Sequence, residues 1–350
     1  MKEPLISVVI PTFRRRELVQ RAVQSVLRQT YPSFEVIVVI DGVDDGTRAR
    51  VDQMGDARTR VLETGRNQGP AEARNHGVRH AAGDYVALLD DDDEWTEQKL
   101  ERQIHLIQLL GLAGRDFLIS CRVIGKTPEG TYVWPEHLFQ AGGDLSEYLL
   151  DRRSPFSRLG MVASGTLLFP RSLALRVPFP RDTVHEDWSW LLLCGVRDRT
   201  PLVMCEEPMF IYHLDPESVS RNKQSNWRAT LEWGRRYRAQ MSGAAFAGML
   251  ATTMAWRAKR QGGGWRAFME IARAMHREGD ATALHWLMLI SILLLPVEIA
   301  EKLRRRSFLE SSSAGALRHA REVLGWTWVA TEIAAIAKEV ASRPRRRGQR

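Results

Sequence analysis

Apolar positions fall into two alternating patterns over the first ninety residues. Leu5-Ile-Ser-Val-Val-Ile10 is nearly continuous, has strand length and ends at Pro11, the signature of a strand covered on both faces in a parallel sheet. Within 14–29, Leu18, Ala22, Val23, Val26 and Leu27 then recur at helical spacing, and Tyr31-Pro32 stops the helix. Strands are predicted at 35–40, 60–63 and 85–89, with a helix near 70–81. Strand, helix and strand in repetition imply right-handed crossovers and parallel neighbours, so this part reads as the nucleotide-binding half of an α/β protein.

Further along, 97–110 predicts an amphipathic helix, and 116–125 with 131–134 predict strands joined by the Lys126-Thr-Pro-Glu-Gly130 turn. A helix over 187–195 follows. From Arg221 the pattern is almost wholly helical, at 227–241, 244–260, 265–278, 281–295 and 316–341, with breaks such as Gln261-Gly-Gly-Gly264. The expected organisation is a catalytic domain over 1–220, a helical appendage over 221–342 and a basic, disordered tail over 343–350. Charge divides at the same place: residues 221–350 hold 24 Lys and Arg against 10 Asp and Glu, or +14, while the overall net charge is +8. Such a basic appendage fits nucleic acid, an anionic membrane or plain solubility, and charge alone does not choose.

Ligands of open parallel sheets bind beyond the carboxyl ends of the strands, which here gathers Pro11, Thr12, Asp41, Asn67 to Gly69 and Asp90 to Asp93 around one crevice. The dominant feature is Asp90-Asp-Asp-Asp-Glu94, five carboxylates directly after an apolar strand. At a strand end beside a crevice their repulsion would best be relieved by a bound divalent ion. In an extended segment Asp90 and Asp92 would point together and Asp91 away. For such a run taken alone, a solvated acidic turn is the alternative.

The surrounding residues change that balance. Asn67-Gln-Gly69, Ala73-Arg-Asn-His-Gly77, Gly83-Asp-Tyr85 and Leu89-Asp-Asp-Asp-Asp93 stand in an order and spacing that resembles glycosyltransferase family 2, and residues 5 to about 220 carry the resemblance. The resemblance implies a GT-A fold, an α/β architecture with a mostly parallel sheet flanked by helices. It also implies an inverting hexosyltransferase that uses Mg2+ or Mn2+ and a nucleotide-sugar donor, with a UDP-sugar expected. The acceptor would be a hydroxyl of a glycan or glycolipid in cell-surface polysaccharide or glycolipid synthesis.

Carried over position by position, the family pattern assigns Pro11, Thr12, Asp41, Asn67, Arg74, Asp90 and Asp91 to the nucleotide-sugar. Asp41 is the base-reading carboxylate of Ile40-Asp-Gly-Val-Asp-Asp-Gly-Thr47, where Ile40 replaces the family's first Asp and Asp45 matches its third. Turn and cap chemistry is the other reading of Asp44, Asp45 and Thr47. Arg74 either faces the nucleotide or pairs with the acidic run and holds it. Asp92 is the expected metal ligand, completed by Asp215, which stands where the family usually has His, or by His213 two residues earlier. Met161-Val-Ala-Ser-Gly-Thr-Leu-Leu-Phe169 resembles the family's short acceptor-side strand, so the resemblance assigns Ser164 and Gly165 to the acceptor side, with structural roles as the alternative. Ser218 and Ser220 would reach phosphate oxygens or end their loop. In Val184-His-Glu-Asp-Trp-Ser-Trp190, Asp187 is the expected general base and Glu186 the next candidate, against simple first-turn residues of a helix. Rival functions are a metal-dependent nucleotidyltransferase and an inert nucleotide-sugar binder.

Cys121, Cys194 and Cys205 are scattered, lack metal-ligand spacing and read as apolar filler in a reducing compartment. Met1-Lys-Glu-Pro4 leads straight into a strand, with no secretory h-region, which places the expected enzyme in the cytoplasm. Trp286-Leu-Met-Leu-Ile-Ser-Ile-Leu-Leu-Leu-Pro-Val297 is shorter than the roughly 20 residues needed to span a bilayer. Followed by Lys302-Leu-Arg-Arg-Arg306, it suggests peripheral attachment to the inner face of the cell membrane, or burial and oligomerisation through the same helices. Nucleic acid is not an expected partner.

Overall fold

A computed structural model describes residues 3–128, 130–152, 159–182, 184–195, 200–213 and 226–295. Asp215, Ser218, Ser220, the 302–306 basic cluster, the helix expected at 316–341 and the 343–350 tail lie outside the described residues. The chain begins β1 (Ile6–Thr12), α1 (Arg16–Leu27), β2 (Phe34–Ile40), α2 (Thr47–Asp52), β3 (Thr59–Glu63), α3 (Pro70–His80), β4 (Tyr85–Leu88). It continues with β5 (Glu94–Trp95), α4 (Lys99–Leu109), β6 (Leu118–Thr127), β7 (Gly130–Trp134), α5 (Leu145–Leu150), β8 (Leu168–Pro170), α6 (Arg171–Arg176), α7 (Glu186–Leu193) and β9 (Leu202–His213). The described strands form one sheet in the order β3-β2-β1-β4-β8-β6-β9-β5, with β7 beside β6. From β3 to β4 all pairs are parallel, while β8 runs antiparallel to both its neighbours.

The unbroken apolar strands are explained by two cores, one on each face of the sheet. Alternate residues divide between them: Val9, Ile37, Val39, Val86 and Leu88 face one core, and Val8, Ile10, Val36, Val38 and Leu89 the other. Each pleat face is thus buried and no polar alternation remains to be seen. Pro11 is tolerated within β1 because the β4 ladder ends opposite Val9, so on that side no partner strand requires its missing N–H. α3 packs so close that a Cβ on Gly77 would lie 2.4 Å from Val9 Cγ1.

A helical layer follows: α8 (Trp227–Arg236), α9 (Gly243–Met249), a π turn at Leu250–Met254, α10 (Ala255–Arg260), α11 (Gly264–Glu278) and α12 (Ala283–Leu294). Its apolar side joins the first core, where Leu149 and Leu150 of α5 meet Phe246, Met249 and Leu250 in one cluster. Among the described residues no helix is long and apolar enough to cross a membrane.

Several expected elements are corrected. The helix expected over 227–241 ends at Arg236, and a new helix starts where the Ser242 hydroxyl accepts from Ala245 N. The strand expected over 161–169 is reduced to Leu168–Pro170, because Ser164–Thr166 coil into a 3-10 turn whose Gly165 carbonyl accepts from the Trp95 indole. β9 carries no clear sequence signal, since Glu206, Glu207 and Pro208 interrupt its apolar pattern. The ladder accommodates them through register shifts that put Pro208 opposite Arg122.

Candidate functional site

The carboxyl ends of β1, β2 and β4 meet at one edge of the sheet, and the polar groups there form two linked networks. At the end of β2, Asp41 is buried and its carboxylate accepts from Gln68 N (2.9 Å), Gly69 N (2.8 Å) and Thr64 Oγ1 (3.2 Å). Asp41 therefore fixes the loop that presents the exposed Asn67. Asp44 caps the next turn through Gly46 N and Arg48 N, and Asp45 binds Thr47 Oγ1 at 2.5 Å, so both carboxylates are engaged locally.

The acidic run leaves the sheet in a tight turn, with Asp93 N donating to Asp90 O, rather than in the extended form expected. Its carboxylates still separate. Asp91 turns into the protein, where it accepts from Thr12 Oγ1 (2.7 Å) and Arg15 Nη1 (2.9 Å); burial pushes its carboxyl up to about 6. Asp93 is buried too and accepts from His213 N at 2.9 Å. Burial and the neighbouring Asp92 and Asp90 raise it well above the usual carboxylate range. Asp90 and Asp92 keep side-chain exposures of 33% and 25%, enough to reach a ligand. Asp92 is raised by burial and by repulsion from Asp90. The turn thus leaves the first and third carboxylates open and builds the second and fourth into the scaffold.

Arg15 is the residue that the sequence reading missed, since its guanidinium lies 2.9 Å from Asp91 and 3.0 Å from Asp92. Arg21 adds a hydrogen bond to the Asp92 carbonyl. The signal was the Phe13-Arg-Arg-Arg16 run directly after Thr12, at a strand end where ligands gather. His213 does not swing toward Asp92: its Nε2 lies 2.8 Å from Glu94 Oε1, beside Arg21 and Arg28. Among the described residues no three His, Cys, Asp or Glu side chains converge as a metal-binding group.

The second network is centred on Arg74, which α3 places beneath the crevice with a side-chain exposure of 4%. It binds Asp90 Oδ1 at 2.7 Å, Asp187 Oδ1 at 3.1 Å and Ser164 Oγ at 3.3 Å. Ser164 in turn donates to Asp90 Oδ2 at 2.9 Å. Burial alone would lower the guanidinium, but Asp90 and Asp187 outweigh it and raise it, so Arg74 stays charged. This is the pairing role allowed for Arg74 at the outset, extended to the carboxylate of α7. Ser164 is buried within the network, and Gly165 is required by packing, since its Cβ would meet Phe210 at 2.3 Å.

Asp187 lies in the first turn of α7, where the helix amino end favours its anion. Burial, with Asp90 and Glu186 nearby, outweighs Arg74 and pushes its carboxyl up to about 6. A carboxylate with that proton affinity remains ionised at neutral pH and is a stronger base than a solvated one. Glu186 is adjacent and half-buried.

The strand ends of this α/β sheet thus gather an acidic turn and a helix-borne carboxylate around one buried guanidinium. The family model for "Glycosyl transferase family 2" matches residues 7–174. The chain is 33% identical over 229 residues to the Escherichia coli UDP-Glc:alpha-D-GlcNAc-diphosphoundecaprenol beta-1,3-glucosyltransferase WfaP, covering 63% of this chain and 81% of that protein. The fold is similar to S. aureus TarS 1–349 in complex with UDP-GlcNAc, with a TM-score of 0.57 and 16% identity over 86% of this chain and 91% of that one. It is also similar to the mannosyltransferase PcManGT from Pyrobaculum calidifontis in complex with GDP-Man and Mn2+, with a TM-score of 0.54 and 18% identity over 91% of this chain and 88% of that one. The chain belongs to glycosyltransferase family 2 and has a GT-A fold.

Proposed function

We propose that this chain is an inverting hexosyltransferase that moves a sugar from a UDP-sugar to a hydroxyl of a membrane-linked glycan acceptor. The observation that carries the reading is the Arg74 bridge, which holds an open carboxylate of the acidic turn and the carboxylate of α7 on one guanidinium. That bridge supports a reading in which donor and acceptor chemistry stand side by side.

In the proposed reaction, Asp187 takes the proton of the acceptor hydroxyl while that oxygen bonds to the anomeric carbon from the face opposite the departing diphosphate. The carbon–oxygen bond to the diphosphate breaks as the new one forms, so the anomeric configuration inverts. No enzyme nucleophile takes part. Arg74 keeps Asp187 ionised and aimed, and the Asp41 network holds the Asn67 loop against the nucleotide.

A divalent ion fits the acidic turn: Asp90 and Asp92 are hard oxygen donors, open to solvent and in mutual repulsion. Mg2+ or Mn2+ there would be held by Asp92, with Asp90 nearby, and would supply charge neutralisation for the diphosphate. Asp215 is proposed as the further ligand. WfaP carries UDP-Glc and diphosphoundecaprenol in its name, and PcManGT was solved with Mn2+, which supports a UDP-sugar, a lipid-linked acceptor and a metal here. Action on such an acceptor would place the enzyme on the inner membrane face, in polysaccharide or glycolipid synthesis. The partly exposed α12, with Ile290 and Leu294 outward, would offer an apolar contact to that face.

A panel of UDP- and GDP-sugars, scored by released nucleotide with Mn2+, Mg2+ or EDTA, tests the reading. Release is expected from a UDP-sugar, with metal, and NMR of the glycosylated product should show inversion. Retention, or activity indifferent to EDTA, would overturn the corresponding part.

A further inference from the structure

Asp187 is aimed by a turn held from outside the sheet. His185, the residue before Glu186-Asp187, has φ 56° and ψ 34°, and with Arg14 it is one of two described non-glycine residues in the left-handed region. Such a backbone costs on the order of 1 kcal/mol or more and persists where its surroundings impose it. Here the surroundings belong to the helical layer. The His185 ring stacks on Trp188 at 4.6 Å and 2° and tilts against Trp233 of α8 at 4.8 Å. Its Nε2 lies 3.2 Å from Arg257 Nη1 of α10 and 3.3 Å from Thr230 Oγ1 of α8, while Arg257 also donates to Thr230 at 2.7 Å.

We propose that the helical layer positions the base: His185, clamped by Thr230, Trp233 and Arg257, is a positioning residue for Asp187, an inference that rests on the transferase reading. The ring is suited to the task because it is neutral. Burial and the adjacent Arg257 push it down to about 3, so Nε2 accepts from Arg257 and Nδ1 carries the proton. The backbone carries the restraint onward, since His185 O accepts from Ser189 N at 2.9 Å, while the single Ser189 hydroxyl hydrogen goes to Asp182 Oδ2 at 2.5 Å. One turn into α7 a second anchor repeats the arrangement: Trp233 Nε1 donates to Ser189 Oγ, and Ser189, Arg236 and Tyr237 all bind Asp182. α7 is therefore held at its first turn by residues 45 to 72 positions after His185 in the chain. With that hold released, Asp187 would depart from its place beside Arg74, and a misplacement of about 1 Å can cost up to about 10²-fold in rate.

The test uses the full chain with UDP-glucose and Mn2+, scoring UDP release, and two variants. His185→Gly keeps the left-handed turn accessible but removes the ring. Arg257→Met keeps the aliphatic stem and removes the N–H groups. The clamp predicts that kcat falls about tenfold in His185→Gly and about threefold in Arg257→Met, with KM for UDP-glucose within about twofold of wild type. The double variant should lose no more than His185→Gly, because both act through one ring. Unchanged kcat in both variants, even with lowered melting temperatures, makes the cluster merely structural and overturns the proposal. Hydrogen exchange separates this outcome from failure of the transferase reading. In Arg257→Met, the amides of 186–190 should exchange faster while those of β2 stay protected. If wild type releases no UDP from UDP-glucose, the donor reading fails and exchange alone decides the clamp, with unchanged protection of 186–190 counting against it.

Discussion

The acidic turn after β4 and the first turn of α7 present carboxylates to the same arginine, yet they are held in place by different parts of the chain. Asp91 and Asp92 are fixed by Thr12 and Arg15, from the first strand and the start of the first helix. The turn bearing Asp187 is fixed by Thr230, Trp233 and Arg257, which belong to the helical layer. The acidic turn is thus a local property of the sheet, and the first turn of α7 is a property of the whole molecule. The largest expected effect breaks this pairing at the base. Asp187→Asn preserves shape but cannot accept a proton, so turnover should fall by about 10²–10⁴-fold while calorimetric UDP affinity stays within about twofold. Equal losses in both would move Asp187 from base to binder.

The same substitution in the other region should behave differently. Asp92→Asn leaves Arg15 its partner Asp91, and should weaken UDP binding about tenfold in Mn2+ but not in EDTA. A loss of equal size with and without metal would make the turn a purely structural feature. Titration sharpens the contrast further. A base raised to about 6 acts when deprotonated, so kcat should climb with pH through about 6 and level off above it. At pH 5 it should stand near a tenth of its plateau, and a limb centred near pH 4 would show that Asp187 titrates as an ordinary solvated carboxyl.

This difference also explains how far the sequence could be read. β1, β2 and β4, with α1 and α3, were legible because these strands are buried on both faces and these helices pack directly on them, whereas α2, the short crossover to the half-exposed edge strand β3, left no periodic signal. Asp41, Arg74, Asp90 and Asp187 were singled out through family spacing, and the structure brings Arg74, Asp90, Ser164 and Asp187 into contact. The division of the acidic run was foreseen in its alternation but not in its cause, since a turn rather than an extended strand separates the carboxylates. Arg15 was hidden within a basic run that looked like the start of a helix. The partners of His185 had no local signal at all: Thr230 and Arg257 are ordinary helix residues until tertiary packing brings α8 and α10 against α7. β9 was obscured for a related reason, because a bulge permits a proline that periodicity counts against a strand.

The smallest expected effects compare one hydroxyl in each region. Thr12→Val removes the donor to Asp91 Oδ2, and Tyr237→Phe removes the donor to Asp182 Oδ2. The chemistry is the same, but the carboxylates differ in what remains. Asp182 keeps Ser189 on the same oxygen and Arg236 on the other. Asp91 keeps Arg15 on Oδ1, and among the hydrogen bonds described Thr12 is the partner of Oδ2. Leaving a buried acceptor unpaired costs about 1–3 kcal/mol, whereas thinning a network that still satisfies its acceptor costs about 0.5–1.5 kcal/mol. Urea denaturation should therefore show Thr12→Val to be the more destabilised of the two. Activity should rank them the other way relative to stability, because Tyr237 belongs to the second anchor of α7. Its loss should lower kcat by about twofold at unchanged KM for the donor, while Thr12→Val should act mainly on stability and donor affinity. The opposite ranking in kcat would place the control of the base in the sheet and not in the helical layer.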